Sequence, residues 1–188
     1  MVLLFGGLIL SYHRALLLQN RKLLLHMEEL VQQRTSELGT VPEVDELLTL
    51  IEQKNAPEVD VAGIHFTVGY LGTSAKLMAQ REKLLILFEN LIYNAISFTP
   101  AGGTIQIMPR LVGEWVVIEV SDTGCGISAE HLPHVFEQFY TTRSQTGEGS
   151  GLGLYICKLT ADELGGSIAV KSELAKGTSF TVCLPLLP

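Results

Sequence analysis

Apolar residues recur along this chain at two different periods, and the change from one period to the other marks the predicted elements. Where they recur every three or four positions they predict helices, and where they alternate with polar residues between turn signals they predict strands. The predicted helices are residues 12–38, 43–54, 76–98, 129–136 and 151–164, and the predicted strands are residues 64–68, 104–111, 114–121, 167–172 and 178–184.

The linkage of these elements predicts an α+β fold. A tight turn at Val112-Gly113 joins the second and third strands, and Ala175-Lys176-Gly177 joins the last two. Such short connections form hairpins, so both strand pairs are expected to be antiparallel. With 47% apolar residues the chain can bury a sizeable core. Helices packed on such a sheet predict a two-layer α/β sandwich, preceded by one long N-terminal helix.

The long helix over residues 12–40 carries two series of positions that repeat every seven residues. This spacing predicts a coiled-coil seam that would join two chains as a homodimer; one amphipathic helix packed on its own domain is the alternative. Residues 1–11 are mostly apolar but too few to cross a bilayer of about 30 Å. They are either the end of a membrane helix or the apolar end of the dimerising helix. The two series are Leu17, Leu24, Val31 and Leu38, and Asn20, Met27 and Arg34.

Charge and cysteine content exclude two classes of function. The net charge of −7 and the absence of a strong basic run argue against binding to nucleic acid, which requires a basic surface. Cys125, Cys157 and Cys183 are isolated, with no CxxC spacing. They therefore predict neither a disulfide framework nor a zinc site.

Polar residues at the ends of predicted elements suggest a ligand site. Asn90 and Asn94 are four residues apart and share one helix face, from which amide oxygens can ligate Mg²⁺ and steady phosphates. Asp122 ends an apolar strand, where its carboxylate can accept a hydrogen bond from an exocyclic amino group. Each has a plainer interpretation, a solvated helix edge for the asparagines and an Asx-turn cap for Asp122.

Two glycine-rich stretches strengthen the ligand interpretation. Gly124 and Gly126 permit a flat ring to approach the backbone, and the run over residues 147–153 opens a helix whose free N–H groups can bind phosphate. The P-loop pattern GxxxxGK[ST] is absent. Residues 124–129 match a dinucleotide fingerprint, but no compact βαβ unit follows them, which disfavours that interpretation.

Together these residues resemble the ATP-binding catalytic domain of sensor histidine kinases, in the GHKL (Bergerat-type) ATPase superfamily. The resemblance covers roughly residues 43–188 and implies a mixed, largely antiparallel sheet. Five motifs occur in the family's order. They are residues 87–100 (LFENLIYNAISFTP), 122–127 (DTGCGI), 135–140 (VFEQFY), 147–154 (GEGSGLGL) and 176–180 (KGTSF).

The resemblance implies a role for each motif. Asn94 would hold Mg²⁺, Asn90 would lie near the phosphates of ATP, and Asp122 would read adenine. The stretch from Tyr140 to Ser150 would form the loop that closes over ATP. The implied ATP-binding residues are Asn90, Asn94, Asp122, Gly124, Gly126, Ile127, Tyr140, Arg143, Gly149, Ser150, Gly151, Leu152, Gly153 and Thr178.

Two departures from the family pattern bear on catalysis. Ser97 stands where the family often has a basic residue, and Arg143 is expected to compensate as a catalytic cation; a solvated loop residue is the alternative for Arg143. No histidine has the family's acceptor motif, since His26 lies near an acidic residue but lacks the basic residue and proline. The phosphoacceptor histidine is therefore expected on a separate helical hairpin.

The resemblance therefore implies an ATP- and Mg²⁺-dependent histidine kinase domain of a two-component system, which phosphorylates that hairpin and has a response regulator as partner. It implies a cytoplasmic domain at the inner face of the cell membrane. A degenerate or truncated kinase that binds ATP and regulates a partner is the alternative. A serine kinase of the anti-sigma type would share the pocket, but the leucine-rich helix argues against it.

Overall fold

Within the residues that the structure describes, five strands form a sheet that is one layer of the fold. The computed structural model describes residues 42–141 and 150–187. The strands are β1 (His65–Val68), β2 (Thr104–Val112), β3 (Trp115–Asp122), β4 (Ser167–Glu173) and β5 (Gly177–Pro185). Their spatial order is β1-β2-β3-β5-β4, with β1 parallel to β2 and the other described neighbours antiparallel. The predicted mixed, largely antiparallel sheet is thus confirmed.

In the described part of the chain, three helices form the second layer: α1 (Val44–Val61), α2 (Arg81–Phe98) and α3 (Gly153–Glu163). Leu47 of α1, Phe88 of α2 and Cys157 of α3 are fully buried in the same apolar cluster as Ile107 and Ile118 of the sheet. Full burial of a side chain such as Phe88 stabilises the fold by roughly 1.5–3 kcal/mol. The two-layer α/β sandwich predicted from the sequence is therefore the observed architecture.

The helix predicted over residues 43–54 was expected to end before Asn55-Ala56-Pro57, and this boundary is wrong. Helix α1 continues through Pro57 to Val61, because its buried positions keep the helical period as far as Val59. Pro57 lies on the exposed side, where water can reach the carbonyl group that loses its partner. Asn55 is buried and donates its Nδ2 hydrogen to the carbonyl oxygen of Ile51 at 2.8 Å.

Two other helix boundaries also differ from the prediction. Helix α2 begins at Arg81 rather than at residue 76, because Lys76 and Leu77 form isolated β-bridges with Glu43 and Leu186. The helix predicted over residues 129–136 is reduced to one 3₁₀ turn, Leu132–His134. The pattern of apolar residues cannot distinguish these short bridged or turned segments from helix ends.

The β2–β3 turn falls at Gly113-Glu114, one residue later than predicted, since Val112 pairs with Trp115. The predicted helix over residues 12–38 and the apolar residues 1–11 lie outside the described residues. None of the helices in the described ranges combines the length and apolar character that crossing a membrane requires.

Candidate functional site

A cavity of about 440 Å³ opens beside α2, at the start of α3 and at the ends of β3 and β5 that meet there. Its size is within the range of roughly 300–1,000 Å³ that small-molecule sites occupy. Ten of the fourteen predicted ATP-binding residues line it. They are Asn90, Asn94, Asp122, Gly126, Ile127, Tyr140, Ser150, Gly151, Gly153 and Thr178.

Of the other four predicted residues, two are described by the structure and are not part of this lining. Gly124 donates a backbone hydrogen bond to Oδ1 of Asp122, and Leu152 is the N-cap residue of α3. Arg143 and Gly149 lie outside the described residues. Their predicted contacts with ATP therefore stay predictions.

Asp122 presents its carboxylate to the cavity from the last position of β3. Its Oδ1 atom accepts hydrogen bonds from the backbone N–H groups of Gly124, at 2.8 Å, and Thr178, at 3.2 Å. Both bonds use the same oxygen, so Oδ2 remains available toward a ligand. Burial raises the pKa of Asp122 above its ordinary value, although the two N–H donors oppose this shift.

Two glycines allow the backbone segments around Asp122 to approach each other closely. Gly126 has a φ of 70°, and a Cβ atom there would overlap the carbonyl oxygen of Glu173. Gly177 has a φ of 111°, and a Cβ atom there would overlap the carbonyl oxygen of Asp122. L-residues rarely adopt such φ values, so both positions require glycine for conformation and for space.

Ser172 of β4 is bonded both to the segment at Ile127 and to the start of β5, and it was not predicted from the sequence. Its Oγ accepts a hydrogen bond from the backbone N–H of Ile127 at 2.7 Å and donates to the carbonyl oxygen of Gly177 at 2.7 Å. It lies 3.0 Å from Oγ1 of Thr178, which must then be the donor. Ser172 thus fixes the backbone of Ile127 and the side chain of Thr178, whose N–H group donates to Asp122.

The two asparagines of α2 lie at another part of the cavity, next to the start of α3. Asn90 donates its Nδ2 hydrogen to the carbonyl oxygen of Ile86 at 2.8 Å, which turns its Oδ1 toward Gly153. A Cβ atom on Gly153 would lie 3.0 Å from that oxygen. Asn94 is one turn further along α2 and half-buried in the same cavity. Amide oxygens of this kind suit Mg²⁺, and the nearby helix start suits phosphate.

Several other lining residues were not predicted as site residues. His131 is one of them, and the sequence assigned it no role in the site. The family motif over residues 135–140 was the signal that could have drawn attention to this segment. The lining also includes Tyr93, Phe98, Cys125, Ser128, His131, Val135, Thr141, Leu154, Leu174 and Phe180.

The sandwich, the half-buried carboxylate at the end of β3, the paired asparagines and the glycine-rich helix start define an ATP-binding catalytic domain of the GHKL class. The family model described as histidine kinase-, DNA gyrase B-, and HSP90-like ATPase matches residues 79–188, more than half of the chain. The chain belongs to this family.

Sensor histidine kinases are among its relatives. Sensor protein SrrB of Staphylococcus aureus is 37% identical over 142 residues, which are 74% of this chain and 24% of SrrB. This chain thus spans about a quarter of the length of the curated relatives it matches.

Two solved structures have the same fold. Full-length ShkA in complex with AMPPNP gives a TM-score of 0.70 at 26% identity, over 78% of this chain and 31% of that one. The nucleotide-free catalytic domain of histidine kinase ThkA gives a TM-score of 0.65 at 28% identity, over 77% of this chain and 94% of that one. The matched residues are therefore the catalytic ATP-binding domain of a histidine kinase.

Proposed function

We propose that this chain binds ATP with Mg²⁺ in the cavity and transfers the γ-phosphate to a histidine on a separate dimerisation hairpin. One observation carries the proposal. The cavity joins a carboxylate fixed by two backbone N–H groups to a pair of asparagines beside a helix start. These are the groups needed at the base end and at the phosphate end of one adenine nucleotide.

Asp122 is the proposed base-reading residue. Its Oδ2 would accept a hydrogen bond from the exocyclic amino group of adenine, while Oδ1 stays bound to the N–H groups of Gly124 and Thr178. Gly126 and Ile127 would lie along the base. The proposal includes Thr178 because its N–H and hydroxyl groups support the geometry of Asp122 and Ser172.

The phosphate end is assigned to α2 and to the start of α3. Asn94 would hold Mg²⁺, which would neutralise charge on the phosphates when bound, and Asn90 would lie beside them. Ser150, Gly151, Leu152 and Gly153 would offer backbone N–H groups to the phosphate oxygens.

Catalysis in this class consists of positioning and of stabilising charge on the transferred phosphoryl group. Arg143 is the proposed cation for this task, since Ser97 occupies the position where the family often has a basic residue. Tyr140, which lines the cavity, begins the segment that carries Arg143.

The proposed partners follow from the absence of an acceptor motif in the sequence. The phosphoacceptor histidine would be supplied by a helical hairpin of another domain or chain, and a response regulator would then receive the phosphoryl group. The heptad pattern over residues 12–40 supports a homodimer, and the apolar residues 1–11 support a location at the inner face of the cell membrane.

The proposal is tested by incubating the full chain with γ-labelled ATP, Mg²⁺ and a separate acceptor hairpin. Label should move to the hairpin, and it should be lost when the hairpin's histidine is replaced by glutamine. Replacing Asn94 by alanine should prevent the transfer. ATP binding without any transfer to several acceptor hairpins would contradict the kinase activity.

A second candidate is a degenerate kinase that binds ATP and regulates a dimer partner. Ser97 at the usual basic position and the missing acceptor motif favour it. It predicts nucleotide binding with no transfer in the same assay, so measurable label on the hairpin would exclude it.

A further inference from the structure

A row of four polar side chains lies at the edge of the cavity between residues 131 and 140. Nδ1 of His131 is 2.7 Å from the hydroxyl oxygen of Tyr140. The ring of His134 lies beside the same phenol ring, with centroids 5.5 Å apart, and its Nδ1 is 2.8 Å from Oε1 of Glu137. His131 and Tyr140 both line the cavity, yet the roles proposed above give His131 no task.

The backbone that carries Tyr140 is also constrained. Phe139, directly before it, has a φ of 63°, a region that residues other than glycine rarely adopt. Its side chain is 65% exposed, so burial of that side chain does not explain the conformation. The backbone of Phe139 instead packs against Gly151, where a Cβ atom would lie 2.5 Å from the carbonyl carbon of Phe139. The backbone thus sets the direction of Tyr140, and the contact with His131 sets the orientation of its ring.

We propose that His131 is a positioning residue for nucleotide binding, which fixes the phenol ring of Tyr140 against the bound nucleotide. This inference rests on the proposed ATP site. A tyrosine side chain without a partner would occupy several rotamers at the cavity edge. A hydrogen bond to His131 selects one rotamer before the nucleotide arrives, and such preorganisation lowers the entropy cost of binding. Either the hydroxyl donates to a neutral ring nitrogen or a protonated Nδ1 donates to the hydroxyl oxygen.

The test is a double-mutant cycle on the full chain, with the Kd for Mg·ATP as the measurement. His131→Ala and Tyr140→Phe should each raise the Kd by about 3- to 10-fold, the range expected for one neutral hydrogen bond. The double variant should bind no more weakly than either single variant, because both changes remove the same bond. The inference would be overturned if the Kd of the double variant rose by the product of the two single increases, or if both single variants kept the affinity of the unchanged chain.

A rescue experiment separates positioning from a general structural role. The amide of His131→Asn carries a polar atom close to the place of Nδ1, so this variant should recover most of the affinity that His131→Ala loses. His65→Asn changes an exposed histidine of β1 away from the cavity and is the matched control. Failure of the asparagine variant to recover affinity, with a melting temperature equal to that of the unchanged chain, would count against positioning. If the unchanged chain binds no ATP, the proposed function fails instead.

Discussion

Replacing Asp122 by asparagine should convert the proposed base-reading position from an acceptor into a donor while leaving the fold intact. In the structure both backbone hydrogen bonds to the carboxylate end on Oδ1, from Gly124 at 2.8 Å and from Thr178 at 3.2 Å. The asparagine Oδ1 can keep both bonds, and this fixes the orientation of the amide. Its NH₂ group must then occupy the place of Oδ2, which is the atom proposed to face adenine.

The magnitude follows from the bond that is lost. A hydrogen bond to a charged group contributes about 1.5–3 kcal/mol, so the Kd for ATP should rise by about 10- to 150-fold in Asp122→Asn. Guanine carries a carbonyl oxygen where adenine carries its amino group, so the new NH₂ group can donate to it. The preference for ATP over GTP should therefore fall by at least about tenfold.

Competition between ATP or GTP and a fluorescent nucleotide measures both constants in one assay. Asp60→Asn, on the exposed side of α1, is the control for a charge change outside the cavity. An unchanged ratio of the two Kd values in Asp122→Asn, with the fold intact, would refute the assignment of Asp122 to the base.

The pH dependence of stability checks the same carboxylate independently of any ligand. Because burial raises the pKa of Asp122 in the folded chain, its ionisation lowers stability as the pH rises from below the ordinary value of 3.8 through the folded value. The asparagine variant lacks this loss. Its free energy of unfolding, relative to the unchanged chain, should therefore rise with pH across that window and stay constant above it. A constant difference in denaturant titrations from pH 3 to pH 7 would contradict the burial effect.

Three further predictions concern single positions. Gly126→Ala should lower the free energy of unfolding by at least about 1–2 kcal/mol in a denaturant titration, because φ is 70° and the new methyl group meets a backbone carbonyl. Gly72 has a similar φ of 67° but open space around it, so Gly72→Ala should lower the free energy of unfolding by less. Asn94→Ala should weaken Mg·ATP binding by at least about tenfold in calorimetry while the melting temperature stays unchanged, and unaltered binding would contradict the metal assignment. Burial raises the pKa of Cys157 to about 12, so this thiol should resist a thiol reagent until the chain unfolds. The exposed cavity residue Cys125 should react with the reagent and be protected by ATP, and equal reaction rates for the two thiols would contradict this prediction.

The strands were predictable because the order of apolar and polar residues within a strand reflects which of its side chains are buried. In β2, Ile105 and Ile107 are fully buried while Gln106 between them is exposed, which is the alternation that the pattern contained. The parallel pairing of β1 with β2 was implied only by the family resemblance, since it depends on the path of α2 between them. The passage of α1 through Pro57 escaped prediction for a related reason, because whether a proline is tolerated depends on the side of the helix that faces water.

The residues of the site likewise include some that the sequence could predict and some that it could not. Asp122 was predictable because a carboxylate at the end of a mainly apolar strand is a local signal, and the family resemblance implied a role for it. The contact between His131 and Tyr140 was not, because it joins residues nine positions apart across irregular backbone. Ser172 was missed because a single serine within a strand carries no local signal of a site, and only the register of β4 against β5 brings it opposite Thr178.

The register of the sheet fixes the proposed base-reading end of the cavity without any nucleotide present. Antiparallel pairing sets Asp122 opposite Thr178 and Thr178 opposite Ser172 across three strands. The carboxylate is therefore positioned by the same ladder that holds the sheet together. To turn Oδ1 away from its backbone donors would leave two partly buried N–H groups without partners, at roughly 1–3 kcal/mol each. Recognition at this end thus requires little ordering on binding, because folding has already fixed the acceptor that a base would meet.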